Sequence, residues 1–534
     1  MRKRFGTLGA ATMIVLAFML ACSPVSVRPV SAAAAPAPTG DTVLLLYDSL
    51  ALSTEREGNV ETLERLLAAY GVPVAALSFD RYAEGMLKSY RRVAVVRNAP
   101  DLSIANAALV SDLASYGGDY LQVGGRELPD RVRARLNLTL DAAPLDTVRL
   151  EAGDYGQTLS AVADLDEIAG ASGDAKTYGT LTFESDGTRS PYAVSAGGYA
   201  YASYLSGGSL AELALAYVLK DWLRITGDFN AYVLIKEIYP FSDLELLKTL
   251  ADRLYEAGVP FAASVKPVFY NTDYPAMQRY IQALQYLQAR NGSILVDAPA
   301  VAATSTVGDG SLRGKMSGFI ELLAASGIAP LGMGAGLFWT YDEVYVSQGM
   351  SFFDTVFLGP NADGQRVRRT GASATFAFSP YVMPFAQLQD FERRGVAPRT
   401  PLPLNLAFSF DLFPDAAALE DAVGAISRSW IPFADLKNGT HAVHTDRLTI
   451  ESSGGGLVID GQPLDIGKQE RAVEEDYAYT AEARTSFTKL FGIQNQILMV
   501  IIGTSLAVFG LFLFIGYRRY KRKYIYPGGR HDAL

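Results

Sequence analysis

The sequence predicts an α/β protein, with a doubly wound domain first, then a (β/α) barrel of about seven strands, a small β-hairpin region and one apolar helix near the carboxyl end. Three observations predict it. Apolar runs alternate with helix-period segments in two blocks, the pattern of parallel strands joined by crossover helices. Between the blocks lies a Gly-, Ser-, Thr- and Asp-rich stretch with short pieces such as YGTLTFE and YAVSAGGYAYASYL, which reads as small β-structure. Finally, ILMVIIGTSLAVFGLFLFIG at 497–516 is an uncharged run of about the 20 residues a helix needs to cross a bilayer.

The first block, 41–125, opens at DTVLLLYDS and predicts strands at 43–47, 74–77, 92–96 and 120–123, with helices at 59–70 and 104–116. Its outline resembles flavodoxin-like or glutamine-amidotransferase-like domains, but it holds no nucleophilic cysteine, so no activity is carried over. The stretch 126–228 reads as a β-rich insertion that ends in the helix LAELALAYVLKDWLRI.

The second block, 229–437, repeats the strand and helix step. AYVLIKEI, PFAASVKPVFY and SILVDAPA are strands, separated by the helices DLELLKTLADRLYEAG and AMQRYIQALQYLQARNG. A glycine follows each helix, where a left-handed residue often stops one. GKMSGFIELLAASG and DAAALEDAVGAISRSW continue as helices, and APLGMGAG, TVFLG and LPLNLAFSFDLFP as strands. In 438–496, RLTIESSGGGLVIDGQPL predicts a hairpin and the charged segment after it a solvated stalk.

Composition narrows the function. With 534 residues, 49% of them hydrophobic, the chain buries more than one sizeable core. A net charge of −9 argues against a nucleic-acid partner, which would require a basic face. The amino end carries Arg2, Lys3 and Arg4, then an apolar stretch to Ala21 and small residues, which reads as a signal peptide over 1–32 followed by a linker at 33–40. Cleavage after Ala32 by ordinary signal peptidase and lipoprotein processing at Cys22, the sole cysteine, both remain open. After the apolar run, YRRYKRKY places the tail 517–534 in the cytoplasm by the positive-inside rule, leaving the bulk outside a cell membrane crossed once.

Within the barrel, LIKEIYP ends an apolar strand with Lys236 and Glu237, the position at which α/β barrels place their chemistry. YVLIKEIYPFSDLELLKTLADRLYEAGVPFAASVKPVFYNTD, with GSILVDAPA further on, resembles the polysaccharide deacetylase (NodB-like) superfamily over about 229–436, in a degenerate, membrane-anchored, exopolysaccharide-associated branch. The resemblance implies a barrel that removes acetyl groups from amino sugars. In active relatives the first strand ends in two aspartates, a general base and a metal ligand; here Lys236 and Glu237 stand there. Where relatives bring metal-binding histidines on or after the third strand, this chain has Asp297, and a later His-Tyr element is replaced around FWTYDEVY.

A hydrolytic zinc ion requires about three N or O ligands and an open position. The chain has three histidines, His441, His444 and His531, the last beyond the apolar run. An ammonium at Lys236 repels a divalent cation. No cofactor is therefore expected; the fallback metal set is Glu237, Asp297, His441 and His444, with zinc as the ion. Candidates for catalysis are Lys236, Glu237 and Asp297. Candidates for carbohydrate binding are Tyr270, Asp273, Tyr274, Trp339, Tyr341, Asp342 and Asp411. The resemblance implies a deacetylase-like protein without catalysis that binds or guides a polysaccharide, such as an amino-sugar polymer, beside a membrane glycosyltransferase complex. The alternatives are an active metal-dependent deacetylase, a glycoside hydrolase with a displaced carboxylate pair, and a scaffold.

Overall fold

The structure is a computed structural model that describes residues 41–163, 165–299, 311–361, 370–391, 400–429, 431–467 and 485–521. The expected signal peptide and linker, and most of the expected stalk and basic tail, lie outside the described residues. Residues 1–470 form one compact unit and 471–534 a second.

The first unit opens with β1 (Val43–Tyr47), α1 (Asn59–Ala69), β2 (Val74–Ser78), β3 (Arg92–Val96), α2 (Ala107–Ser115) and β4 (Asp119–Val123). The four strands are parallel in the order β2-β1-β3-β4. Alternation divides their side chains: Val43 and Leu45 pack with Val60, Leu63 and Leu67 of α1, and Leu44 and Leu46 with Leu109 and Leu113 of α2. Helices therefore cover both faces.

This parallel sheet continues further than the sequence predicts. After α3 (Asp130–Leu136) come β5 (Thr139–Ala142), β6 (Asp146–Ala152), β7 (Tyr155–Val162), β8 (Asp166–Gly170), β9 (Lys176–Phe183), β10 (Arg189–Ala196) and β11 (Tyr199–Ala202). β5 and β8 form a separate ribbon, while β11 joins β4 in parallel and leads through β10, β9 and β6 to β7, making a single nine-stranded mixed sheet. The expected insertion is thus built into the sheet of the expected doubly wound domain.

α4 (Leu210–Trp222), capped by Ser209 Oγ accepting from Ala211 N, is buried along most of its length. Its apolar residues surround the whole helix, as burial on several sides requires. α4 packs on β6, β9, β10 and β11 and touches α1.

The barrel follows: β12 (Ala231–Ile238), α5 (Leu244–Glu256), β13 (Phe261–Val265), α6 (Pro275–Ala289), β14 (Gly292–Asp297), α7 (Ser311–Ala325), β15 (Pro330–Gly336), β16 (Val356–Gly359), β17 (Tyr381–Pro384), α8 (Phe385–Phe391), β18 (Leu406–Phe410) and α9 (Ala416–Ser427). β12 to β18 close in chain order, all parallel, as seven strands. Asp243 caps α5 by accepting from Glu245 N and Leu246 N, and Gly258 follows it at φ 68°. After α6 the left-handed residue is Asn291 at φ 67°, and Gly292 begins β14, where a Cβ would meet Leu287 O at 2.7 Å.

Among the described residues no helix joins β16 to β17. α1 lies against both strands and takes that place, so the sheet and the barrel share one hydrophobic core with α1 and α4 in it. β19 (His441–His444), β20 (Thr449–Ser453), β21 (Gly456–Ile459) and β22 (Gln462–Pro463) form an antiparallel sheet, with β19 and β20 against β15. In the second unit, α10 (Thr485–Tyr520) contains Leu498–Tyr520, which is long and apolar enough to cross a membrane, with hydropathy 2.6.

Candidate functional site at the carboxyl mouth of the barrel

Parallel strands deliver their last residues to one end of a barrel. Here the neighbours β18, β12, β13 and β14 deliver five charges of alternating sign: Asp411, Lys236, Glu237, Lys266 and Asp297. Lys236 Nζ lies 3.1 Å from Asp411 Oδ1, with the Asp411 side chain 83% exposed. Lys266 Nζ lies 2.8 Å from Asp297 Oδ2 and also donates to Ala298 O at 3.4 Å. Burial pushes the Asp297 carboxyl above its ordinary range, the Lys266 ammonium pulls it back, and the Glu237 carboxylate pushes it up again.

The backbone that presents Lys236 and Glu237 is irregular. β12 spends three steps from Ile235 to Ile238 where β13 spends two, from Ala263 to Val265, so β12 holds a bulge. Glu237 sits in it at φ 57°, a left-handed conformation that a non-glycine residue adopts at a cost of about 1–2 kcal/mol. Tyr280, buried on α6, steadies the mouth by donating its hydroxyl to Ile238 O at 2.9 Å, with Lys266 O at 3.3 Å. β15 passes close by: a Cβ on Gly334 would meet Ser264 Oγ at 2.6 Å and Asp297 Oδ1 at 3.4 Å.

Aromatic faces stand on the loops after β12 and β13. Tyr239 and Phe241 stack at 4.8 Å, and Phe241 is 83% exposed. Tyr270 and Tyr274 are also exposed, and Lys315 Nζ lies 5.3 Å from the centroid of the Tyr270 ring. Asp273 is exposed between them.

The remaining sequence candidates lie elsewhere. Trp339 and Tyr341 are buried, so neither offers a face to a polymer: Trp339 packs against Tyr345, and Tyr341 donates to Glu64 Oε1 at 2.9 Å. Asp342 is buried as well, and its Oδ1 accepts from Val344 N and Tyr345 N as a helix cap. Of these three, Tyr341 reaches the amino-terminal sheet, through Glu64 of α1 and Val74 O of β2.

The fallback metal set is not assembled. His441 is buried at the amino end of the barrel, where Nδ1 lies 2.7 Å from Thr355 Oγ1, just before β16, and Nε2 lies 2.9 Å from Leu436 O. His444 is exposed on the same strand, its Nδ1 3.3 Å from Thr449 Oγ1. Glu237 and Asp297 are at the opposite, carboxyl end. Among the described residues no group of three or more His, Cys, Asp and Glu is arranged to hold a metal ion. The mouth's donor set, the three carboxylates Asp411, Glu237 and Asp297 with a lysine ammonium already on Asp411 and on Asp297, does not fit a catalytic zinc.

Lys266 and Phe241 are the mouth residues that sequence reasoning passes over. Lys266 had a usable signal, since SVKP ends an apolar strand in lysine as LIKE does.

No protein-family profile matches the chain, and no curated protein matches it. Similar solved structures include a family 4 carbohydrate esterase from Bacillus anthracis, at 12% identity over 41% of this chain and 90% of that one, with a TM-score of 0.24. A peptidoglycan N-acetylglucosamine deacetylase matches at 10% identity over 39% and 86%, TM-score 0.23. A beta-arabinopyranosidase matches at 10% identity over 60% and 62%, TM-score 0.22. At TM-scores of this size no residue role passes from them to this chain.

Proposed function

We propose that this chain binds a polysaccharide at the carboxyl mouth of its barrel and does not hydrolyse it by metal chemistry. The observation that carries the reading is the alternating strip Asp411, Lys236, Glu237, Lys266 and Asp297, flanked by the exposed rings of Phe241, Tyr270 and Tyr274. Sugars present C–H faces that stack on aromatic rings and hydroxyls that bond to charged groups, and this surface offers both. Lys236 and Lys266 stand on Asp411 and Asp297, two of the three mouth carboxylates that a metal ion would need.

The C-terminal apolar helix and the basic flank after it support a single membrane anchor with the first unit outside the cell. In this reading the protein guides an amino-sugar polymer during exopolysaccharide assembly or export, beside a membrane glycosyltransferase complex. The sequence resemblance over 229–436 supports that setting.

The test is titration of amino-sugar oligomers into the full chain in detergent. Phe241→Ala and Tyr270→Ala each remove a ring worth about 1 kcal/mol, roughly a five-fold loss of affinity. Unchanged affinity in both variants contradicts the reading.

One observation favours a second reading, a glycoside hydrolase. Glu237 is exposed while burial raises the Asp297 carboxyl, and paired carboxylates in unlike surroundings are how acid and base roles are divided. New reducing ends released from the oligomers, and lost in Glu237→Gln, would select it.

A further inference from the structure

A cavity of about 230 Å³ lies away from the barrel mouth strip, at the carboxyl end of β1 and beside the exits of β15 and β16. Its position is favourable for ligands on two counts. It lies outside the carboxyl ends of parallel sheet strands, and it is also lined by residues just beyond the carboxyl ends of barrel strands.

Its walls are chemically uneven. Tyr47, Phe338 and Tyr341 supply rings, α1 supplies Glu61 and Glu64 one turn apart, and Arg81 supplies a guanidinium from the segment after β2. Glu64 is buried and accepts from Tyr341 Oη. One Glu61 oxygen accepts from Asn361 N at 2.6 Å, and its other oxygen has no hydrogen bond or ion pair among the described residues. Arg81 is solvent-exposed.

Two carboxylates beside aromatic faces favour a cation, because both the charge and the ring quadrupoles attract it. A bare ammonium would be repelled by Arg81 at the rim, whereas a molecule that also carries an anionic group satisfies both ends. We propose that this cavity binds a small zwitterion, its ammonium between Glu61, Glu64 and the rings and its carboxylate on Arg81. This site is independent of the polysaccharide reading.

The experiment is calorimetric titration of the full chain in detergent with glycine, β-alanine and 4-aminobutyrate, which vary the spacing of the two charges, and with ethylamine and propionate as half-ligands. At least one zwitterion is expected to bind ten-fold more tightly than either half-ligand. Glu61→Gln keeps an acceptor for Asn361 N while removing the charge, and is expected to weaken that zwitterion ten-fold. Arg81→Ala, at an exposed position, is expected to lower its affinity to that of ethylamine. Unchanged melting of both variants shows that the fold is intact. No zwitterion binding, or binding indifferent to both variants, overturns the proposal.

Discussion

Glu237 is the residue where backbone and chemistry meet. Its φ of 57° suits glycine and strains any side chain with a Cβ. Glu237→Gly is therefore expected to be more stable than Glu237→Ala by about 1 kcal/mol, the reverse of the usual order in a strand. Paired urea denaturation curves check this. His441 gives a second prediction. Burial lowers its pKa, against the smaller opposing effects of its bond to Leu436 O and of Asp354. The unfolded imidazole takes a proton near about pH 6.5 and the folded one only at lower pH, so stability present above that point is lost as pH falls, by at most about 1.4 kcal/mol per unit. Melting temperatures from about pH 7.5 to about pH 5.5 are expected to fall more steeply in the native chain than in His441→Gln. Lys236, Glu237 and Asp297 were legible in the sequence because each ends an apolar run. The burial of Trp339 and Tyr341 was not, since it depends on Glu64 and on other segments distant in the chain.

At the scale of elements, α1 serves two layers. It covers β1 from one side and β16 and β17 from the other, and Arg65 crosses the junction. The Arg65 guanidinium donates to Leu358 O and Val382 O and lies 4.4 Å from the Tyr381 ring centroid. Arg65→Met keeps the length of the side chain and removes the donors, leaving the carbonyls unsatisfied, and is expected to lower stability by about 2–3 kcal/mol. Leu63, fully buried on the same helix, is expected to lose about 2–5 kcal/mol on substitution by alanine. Denaturant unfolding measures both. Most barrel strands were legible as apolar runs, but β17 was not. YVMP is four residues long, with Pro380 before it and Pro384 as its last residue, and its partner β16 touches it only at Leu358 and Tyr381. Likewise, YGTLTFE and YAVSAGGYAYASYL announce strands, yet nothing local says that β11 will join β4 and extend the parallel sheet.

For the molecule as a whole, the amino-terminal sheet and the barrel share one hydrophobic core within a single compact unit. Calorimetry of 41–467 is expected to show one transition with equal calorimetric and van't Hoff enthalpies. Expressed alone, 229–467 lacks α1 over β16 and β17 and is expected to bind a hydrophobic dye and to unfold without cooperativity. Two separate transitions in the longer piece would contradict the shared core. Binding at the mouth without a hydrolytic ion follows from the lysines that stand on two of its three carboxylates, Asp411 and Asp297. Its most direct test is metal content and acetate release measured together on the full chain, with zinc supplied and acetylated amino-sugar oligomers as substrate. Oligomer binding with neither stoichiometric zinc nor acetate is expected; one zinc per chain, with acetate release abolished by Asp297→Ala, would show a working hydrolytic centre instead.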